Sequence, residues 1–369
     1  MSKAAELAAL IGSGQAQGNK NFIINGDFQI WQRATAATAA SNTYATADRW
    51  AFGESTDGAY TSEQSTDTPT GTGFSVKAQV TTADTSLAAA QYSYIYTHLE
   101  AQNLQSLQYG TSSAKTLTVS FFVKSNKTGT YTFAIYKQDN TALVIPIEYT
   151  INSANTWEKK TITITPTAGS TSLITASGGA MDNNNGLGFQ VAFGLAWGST
   201  YHGTNNTWST NTNYYGTSNQ VNWMDSTSNN FYLSQVQLEI GEVATPFEHE
   251  DFGTTLAKCQ RYFYSVAKGN NLTICNANSY STTAVYGTIH FPVTMRSNPT
   301  SVGVTSGTNY FRFYSAGSAT DFDSWSGLND QTENGCTIYK ASLSSLTAGR
   351  GGWFITNNAS AWMYFSAEL

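Results

Sequence analysis

The stretch Leu187-Gly188-Phe189-Gln190-Val191-Ala192-Phe193-Gly194-Leu195-Ala196 decides the fold. Large apolar residues at 187, 189, 191, 193 and 195 alternate with Gly, Gln or Ala. Successive side chains of a strand point to opposite faces, so a period of two marks a β-strand with one face in a core. The alternation recurs on both sides of this stretch. Leu117, Val119, Phe121 and Val123 alternate with Thr118, Ser120 and Phe122, and Tyr131, Phe133 and Ile135 with Thr132 and Ala134. Ile162 and Ile164 lie among Thr161, Thr163 and Thr165, and Val236, Leu238 and Ile240 close the series. Half-buried strands separated by Gly- and Asn-rich turns predict an all-β fold of antiparallel sheets packed as a sandwich.

At 369 residues the chain has room for two cores. Charged residues make up 11% of it, against about 25% in an ordinary soluble domain. Neutral Thr, Ser, Asn, Gln and Gly fill the difference. The net charge of −6 and the lack of any Lys/Arg run exclude duplex nucleic acid as a partner, since such binders need clustered cations. Polybasic membrane attachment fails on the same ground. No apolar run approaches the ~20 residues of a membrane helix, so no membrane insertion is expected. No secretory leader is read at the N-terminus. Three unpaired cysteines, Cys259, Cys275 and Cys336, read as small buried hydrophobes of a chain made in a reducing cytoplasm.

Four segments follow from this reading. Residues 1–20 hold a short N-terminal helix, Ser2 to Ile11, capped by Ser2, and a flexible spacer, Gly12 to Gly18. Residues 21–250 form the first β-sandwich. Residues 251–261 form a linker in which Thr254 to Gln260 is expected to make a helical turn or two. Residues 262–369 form a second, smaller β-sandwich, with Trp362 to Phe365 as a paired strand.

Four stretches carry a resemblance. They are Asn21 to Arg33, with its Asn25-Gly26-Asp27-Phe28; Ala47 to Trp50; Leu117 to Lys124; and Phe231 to Phe263, containing Val236-Gln237-Leu238-Glu239. Together they resemble tail fibres and other virion proteins of tailed bacteriophages. The first, third and fourth are similar to the start, middle and end of carbohydrate-binding jelly rolls of the galactose-binding-like type. The resemblance covers residues 21–263. It implies a jelly roll, a particle protein synthesised in the host bacterial cytoplasm, and a fibre that binds a host-surface glycan or outer-surface protein. The residues add two expectations: the helix and spacer that precede the first strand should join other virion proteins, and a helix too short to stand alone together with the doubly apolar strand Tyr310 to Tyr314 predicts a homotrimer. The residues leave two alternatives, a purely structural decoration or adaptor protein and a tailspike depolymerase.

Candidate contacts concentrate in Gly198 to Trp223, where Tyr201, Trp208, Tyr214, Tyr215 and Trp223 are interleaved with Asn and Thr. Aromatic rings stack on the C–H faces of sugars, and amides and hydroxyls bond sugar hydroxyls. The competing reading is that these rings pin a long loop to its own sandwich or to a neighbouring subunit. A second cluster is Tyr310 to Trp325 with Trp353 and Trp362; Tyr310 to Tyr314 is aromatic on both faces, which predicts one face in the core and the other against a subunit or receptor. The resemblance raises a structural calcium held by Asp27, Glu239 and Glu242. Calcium takes about six to eight oxygens, and three scattered acids read as ordinary carboxylates, so no cofactor is assigned. Catalytic motifs are missing, and His98, His202, His249 and His290 stand apart. A glycosidase would have to draw its two carboxylates from Asp321, Asp323, Asp330 and Glu333; turn-forming acids are the preferred reading, and no enzyme is expected.

Overall fold

The computed structural model describes residues 20–39 and 43–369. The expected helix from Ser2 to Ile11 and its spacer lie outside the described residues. The backbone separates into two compact units, the first ending at Phe252 and the second running from Gly253 to Glu368.

The first unit contains β1 (Ala36–Thr38), β2 (Trp50–Glu54), β3 (Ala59–Ser65), β4 (Ser75–Thr82), β5 (Tyr92–Glu100), β6 (Leu117–Ser125), β7 (Gly129–Lys137), β8 (Leu143–Ile151), β9 (Glu158–Ile164), β10 (Leu187–Trp197) and β11 (Asn230–Ile240). One sheet has the order β1-β3-β4-β11-β6-β9 and the other β2-β5-β10-β7-β8. From β4 onward the chain crosses between sheets so that β4 neighbours β11 and β5 neighbours β10. First strands beside last strands, eight in two sheets, are the winding of a jelly roll. Every pairing is antiparallel.

The alternating residues face inward as their period requires. Phe193 meets Phe121 and Phe133 edge-on at 5.0 and 5.3 Å, those two stack on each other at 6.4 Å, and Leu187's successors Phe189, Val191 and Leu195 are buried beside them. Each such ring removed from water contributes roughly 1.5–3 kcal/mol before entropy is counted. The opening Asn-Gly-Asp-Phe segment has a structural explanation. Asn25, itself buried at a left-handed φ of 58°, donates to the carbonyls of Ile30 and Asp48 and accepts from the Ile30 amide. A Cβ on Gly26 would lie 2.1 Å from the Val236 carbonyl oxygen, so only glycine lets this turn meet β11. Phe28 then packs on Trp50 at 4.8 Å. Asp48 is ion-paired with Arg33 at 3.2 Å, and Arg49 donates to the His98 carbonyl.

The second unit opens with α1 (Phe252–Gln260), which occupies most of the stretch the sequence reading makes a linker. Thr255 and Cys259, four residues apart on one helix face, are both buried, and that burial holds the helix. The strands are β12 (Phe263–Ser279), β13 (Val285–His290), β14 (Gly303–Val304), β15 (Phe311–Ser315), β16 (Ser318–Phe322), β17 (Gly327–Thr332), β18 (Gly335–Lys340) and β19 (Gly351–Ser366). They form one sheet, β16-β15-β19-β12-β13-β18-β17, with β14 also on β19. Register shifts interrupt the long β12–β19 pair between Ser265 and Cys275. Such bulges bend a ladder, and the halves share one core of Phe311, Phe313, Phe354, Met363 and Phe365. Trp362 to Phe365 is paired, with Met363 and Phe365 fully buried.

Candidate functional site

The inner face of the β2-β5-β10-β7-β8 sheet fills the core, so its outer face depends on the intervening residues. On β10 these are Gln190, Ala192 and Gly194; opposite them stand His98, Tyr96 and Tyr94 on β5 and Tyr136, Ala134 and Thr132 on β7. Ala51 and Gly53 of β2 continue the two lower rows. The result is a floor of small residues, with Tyr94 and Tyr96 rising from β5 and Tyr136 from β7. Sequence reasoning passed over this face. Its signal was present in Tyr92-Ser93-Tyr94-Ile95-Tyr96, where tyrosines hold every second position of a strand whose other face carries Ser93, Ile95, Thr97 and Leu99.

Trp197, at the end of β10, folds over this floor. A Cβ on Gly194 would sit 2.1 Å from the indole nitrogen, so the glycine makes the seat. The indole donates to the Thr132 hydroxyl at 3.0 Å and lies near-parallel to Tyr94 at 5.0 Å and Tyr215 at 5.5 Å, whose own centroids are 6.1 Å apart, so the three rings cluster as a triangle. Tyr215 donates through its hydroxyl to Gln190 Oε1 at 2.7 Å. Tyr201 meets Tyr92 edge-on at 5.4 Å and tilts against Trp197 at 5.5 Å. Tyr92, Tyr94, Tyr136, Tyr201 and Tyr215 are half-buried, so each presents part of its ring to solvent around a buried Trp197. Burial pushes the Tyr94 phenol up to about 12 and that of Tyr215 well above the usual range. Both are therefore neutral at any physiological pH.

The five residues predicted as contacts divide. Trp208 is 1% exposed and Trp223 0% exposed. The Trp208 indole donates to the Thr165 carbonyl at 3.1 Å, and its neighbour Ser209 bonds Val144 on the free edge of β8. Trp223 packs edge-on against Tyr60 at 5.6 Å. These two rings are core residues that peg the ends of the loop, which corrects their reading as ligand contacts. Tyr214 is half-buried beside Gly203, where an added Cβ would lie 2.5 Å from the Tyr214 Cβ and 2.8 Å from its ring. Tyr201 and Tyr215 remain on the outer patch.

The three acids considered for calcium are not gathered. Glu239 is buried and takes hydrogen bonds from Gln237, the Thr245 amide and the Thr245 hydroxyl, each at 2.8 Å, while Glu242 is exposed. Among the described residues no group of three or more His, Cys, Asp or Glu side chains is placed to hold a metal ion. Of the acids considered for glycoside cleavage, Asp321 forks onto Arg312 at 2.6 and 3.0 Å, and Asp323 accepts from the Asn309 amide. In the second aromatic cluster Trp325 packs inward on Phe311, Phe322 and Phe354, whereas Trp353 faces outward and stacks on Tyr314 at 5.3 Å. Among the described residues no helix is long and apolar enough to cross a membrane.

No protein-family model and no curated protein matches the chain. Among solved structures it is similar to a sugar-binding protein of Bacteroides thetaiotaomicron described as putative, at 13% identity and a TM-score of 0.34 over 60% of this chain and 100% of that one. It is similar to a family 11 carbohydrate-binding module of Clostridium thermocellum solved with a mixed-linked tetrasaccharide, at 13% identity and 0.27 over 57% of this chain and 99% of that one. It is also similar to the enzymatically active domain of tailspike protein 4 of bacteriophage CBA120, at 11% identity and 0.29; there it covers 60% of this chain and only 22% of the phage chain. At these scores the likenesses carry no argument, and the jelly roll rests on the strand order above.

Proposed function

We propose that the chain is a non-enzymatic structural subunit of a tailed-phage particle, a tail or head fibre that binds a host-surface glycan during adsorption. The observation that carries the glycan reading is the uncharged patch of Tyr92, Tyr94, Tyr136, Tyr201 and Tyr215 on the outer sheet face. The exposed parts of these rings offer flat apolar surfaces to sugar C–H faces, and neutral phenols bond sugar hydroxyls without the desolvation cost of a charge. The patch stands on strands and on a loop pegged by Trp208 and Trp223, so it is preorganised. The phage reading is supported by the four sequence segments between Asn21 and Phe263. In this reading the chain assembles as a homotrimer, joins other virion proteins through residues 1–20, and gains avidity from repeated weak sites.

The experiment is adsorption to host cells by particles carrying Tyr92→Ala or Tyr201→Ala, beside the melting temperature of the purified chains. Adsorption should fall about tenfold or more with melting almost unchanged. It should also vary little between low and physiological salt, because neutral contacts are not screened. Unchanged adsorption in both variants would remove the patch as the contact surface. The burial of Trp208 and Trp223 favours a second reading in that event, a jelly roll serving only as a packing module. Antibody labelling of whole particles then distinguishes a fibre from a decoration protein.

A further inference from the structure

The outward face of the second unit's sheet carries a groove of ≈ 550 Å³ on β12 and β13, lined in part by Asn276, Asn278, Tyr286 and Thr288. Two aromatic pairs bracket it. On one side Tyr286 stacks on Tyr339 of β18, centroids 5.2 Å apart and planes 13° from parallel. On the other, Trp353 of β19 stacks on Tyr314 of β15. Asn276 stands directly opposite Trp353, and Asn278 directly opposite Tyr286. The amides thus fill the floor between the ring pairs, which lie two strand spacings, roughly 10 Å, apart. Trp353 is 42% exposed, and Tyr280 at the groove's end, 5.2 Å from Tyr286, is 73% exposed.

We propose that this groove is a second binding site, specific for a neutral oligosaccharide of at least two sugars. Among the described residues the side chains of Asn276, Asn278 and Thr288 make no hydrogen bond within the chain, so their donors and acceptors are available to a ligand. No carboxylate or ammonium lines the groove. The ion pair of Arg312 with Asp321 lies one row further along the sheet. His290 is the one basic side chain lining the groove, so a nucleic acid finds no cluster of cations here. A second copy of the chain would bury unbonded amides, each at a cost of about 1–3 kcal/mol. A sugar chain supplies hydroxyls to those amides and C–H faces to the flanking rings. Every lining group named stands on a strand, so the spacing is fixed before the ligand arrives.

This inference shares its ligand class with the proposed function but not its residues, which lets one experiment separate them. The full chain is titrated by calorimetry with neutral gluco-, galacto- and N-acetylglucosamine oligomers of two to six sugars. The same titrations are run on Trp353→Ala, on Asn276→Ala with Asn278→Ala, and on Tyr201→Ala; light scattering gives the mass of each. Binding of an oligomer that weakens about tenfold or more in the first two variants and persists in Tyr201→Ala supports the groove. Binding lost only in Tyr201→Ala overturns the groove and leaves the jelly-roll patch standing. No binding of any oligomer overturns it too, as does a fall in assembled mass in Trp353→Ala, which would mark the face as a subunit contact.

Discussion

Replacing Trp208 by Ala tests whether the aromatic loop is held by core pegs or by its ligand. The ring is buried, and its indole is the donor to the Thr165 carbonyl. Truncating a buried Trp costs about 3–5 kcal/mol, cavity included, and the orphaned carbonyl belongs to that range. The first unit has roughly 230 described residues, and at about 2.1 cal/mol/K of unfolding entropy per residue it melts with ~0.5 kcal/mol/K. A loss of about 4 kcal/mol therefore lowers its melting temperature by about 8 °C. Calorimetry of the full chain is the assay, because two units can give two transitions and only the first should move. Tyr201→Ala, at a half-exposed position, should shift the same transition by no more than ~2 °C. A shift below ~3 °C for Trp208→Ala would refute the peg.

Four further outcomes follow from the geometry. Gly26→Ala should destabilise the jelly roll by about 1–3 kcal/mol in urea melts, since its Cβ collides with the Val236 carbonyl. Burial raises the carboxyl of Glu158, but bonds from Lys160, the Ser153 amide and Asn152 outweigh it and hold the group near about 2; the stability this brings is present above pH ~4.5 and is lost as pH falls toward 2. Glu158→Gln should flatten that limb of a stability-against-pH curve, and an unchanged slope would count against it. Burial, and for Cys275 the nearby Cys336, push these thiols up to about 12 and about 11, so at pH 8 the thiolate available to a thiol reagent should be about a hundredfold or more lower for Cys336 in the native chain than in denaturant, and about a thousandfold or more lower for Cys275. Gel filtration with light scattering should give about three times 39.8 kDa, and a clean monomer at micromolar concentration would count against a trimer.

The alternation of Phe189, Val191 and Phe193 was enough to place β10 in a sandwich and to say which face enters the core, because period two is a local property of the backbone; that Gln190, Ala192 and Gly194 on the other face are buried as well, beneath Trp197 and the tyrosines, was not legible. The fate of Trp208 was not legible in the same way. Trp208 and Tyr201 sit in similar Asn- and Thr-rich surroundings, yet one enters the core and the other stays at the surface. What separates them is the bond between Ser209 and Val144, 65 residues earlier in the chain, and no local pattern encodes that. The tyrosines of β5 were missed for a different reason. Their period-two spacing is local, but only the fold brings that strand beneath the loop carrying Tyr201 and Tyr215. In the second unit two aromatic faces were legible from Tyr310 to Tyr314, but nothing local marks Asn276 and Asn278; only the register places them between Tyr286 and Trp353.

The two buried indoles at 208 and 223 also bear on how this protein changes over time. Between them the loop displays exposed Thr210, Asn213 and Ser218. Substitutions at such positions usually alter stability by no more than about 0.5 kcal/mol. A lineage under pressure to recognise a new surface can therefore rewrite these side chains at almost no risk to folding, while the anchors stay constant. The same arrangement suits laboratory selection: a library confined to the exposed positions of 209–219 should keep the parent's melting temperature in most members, and one that includes 208 or 223 should lower it by several degrees in most.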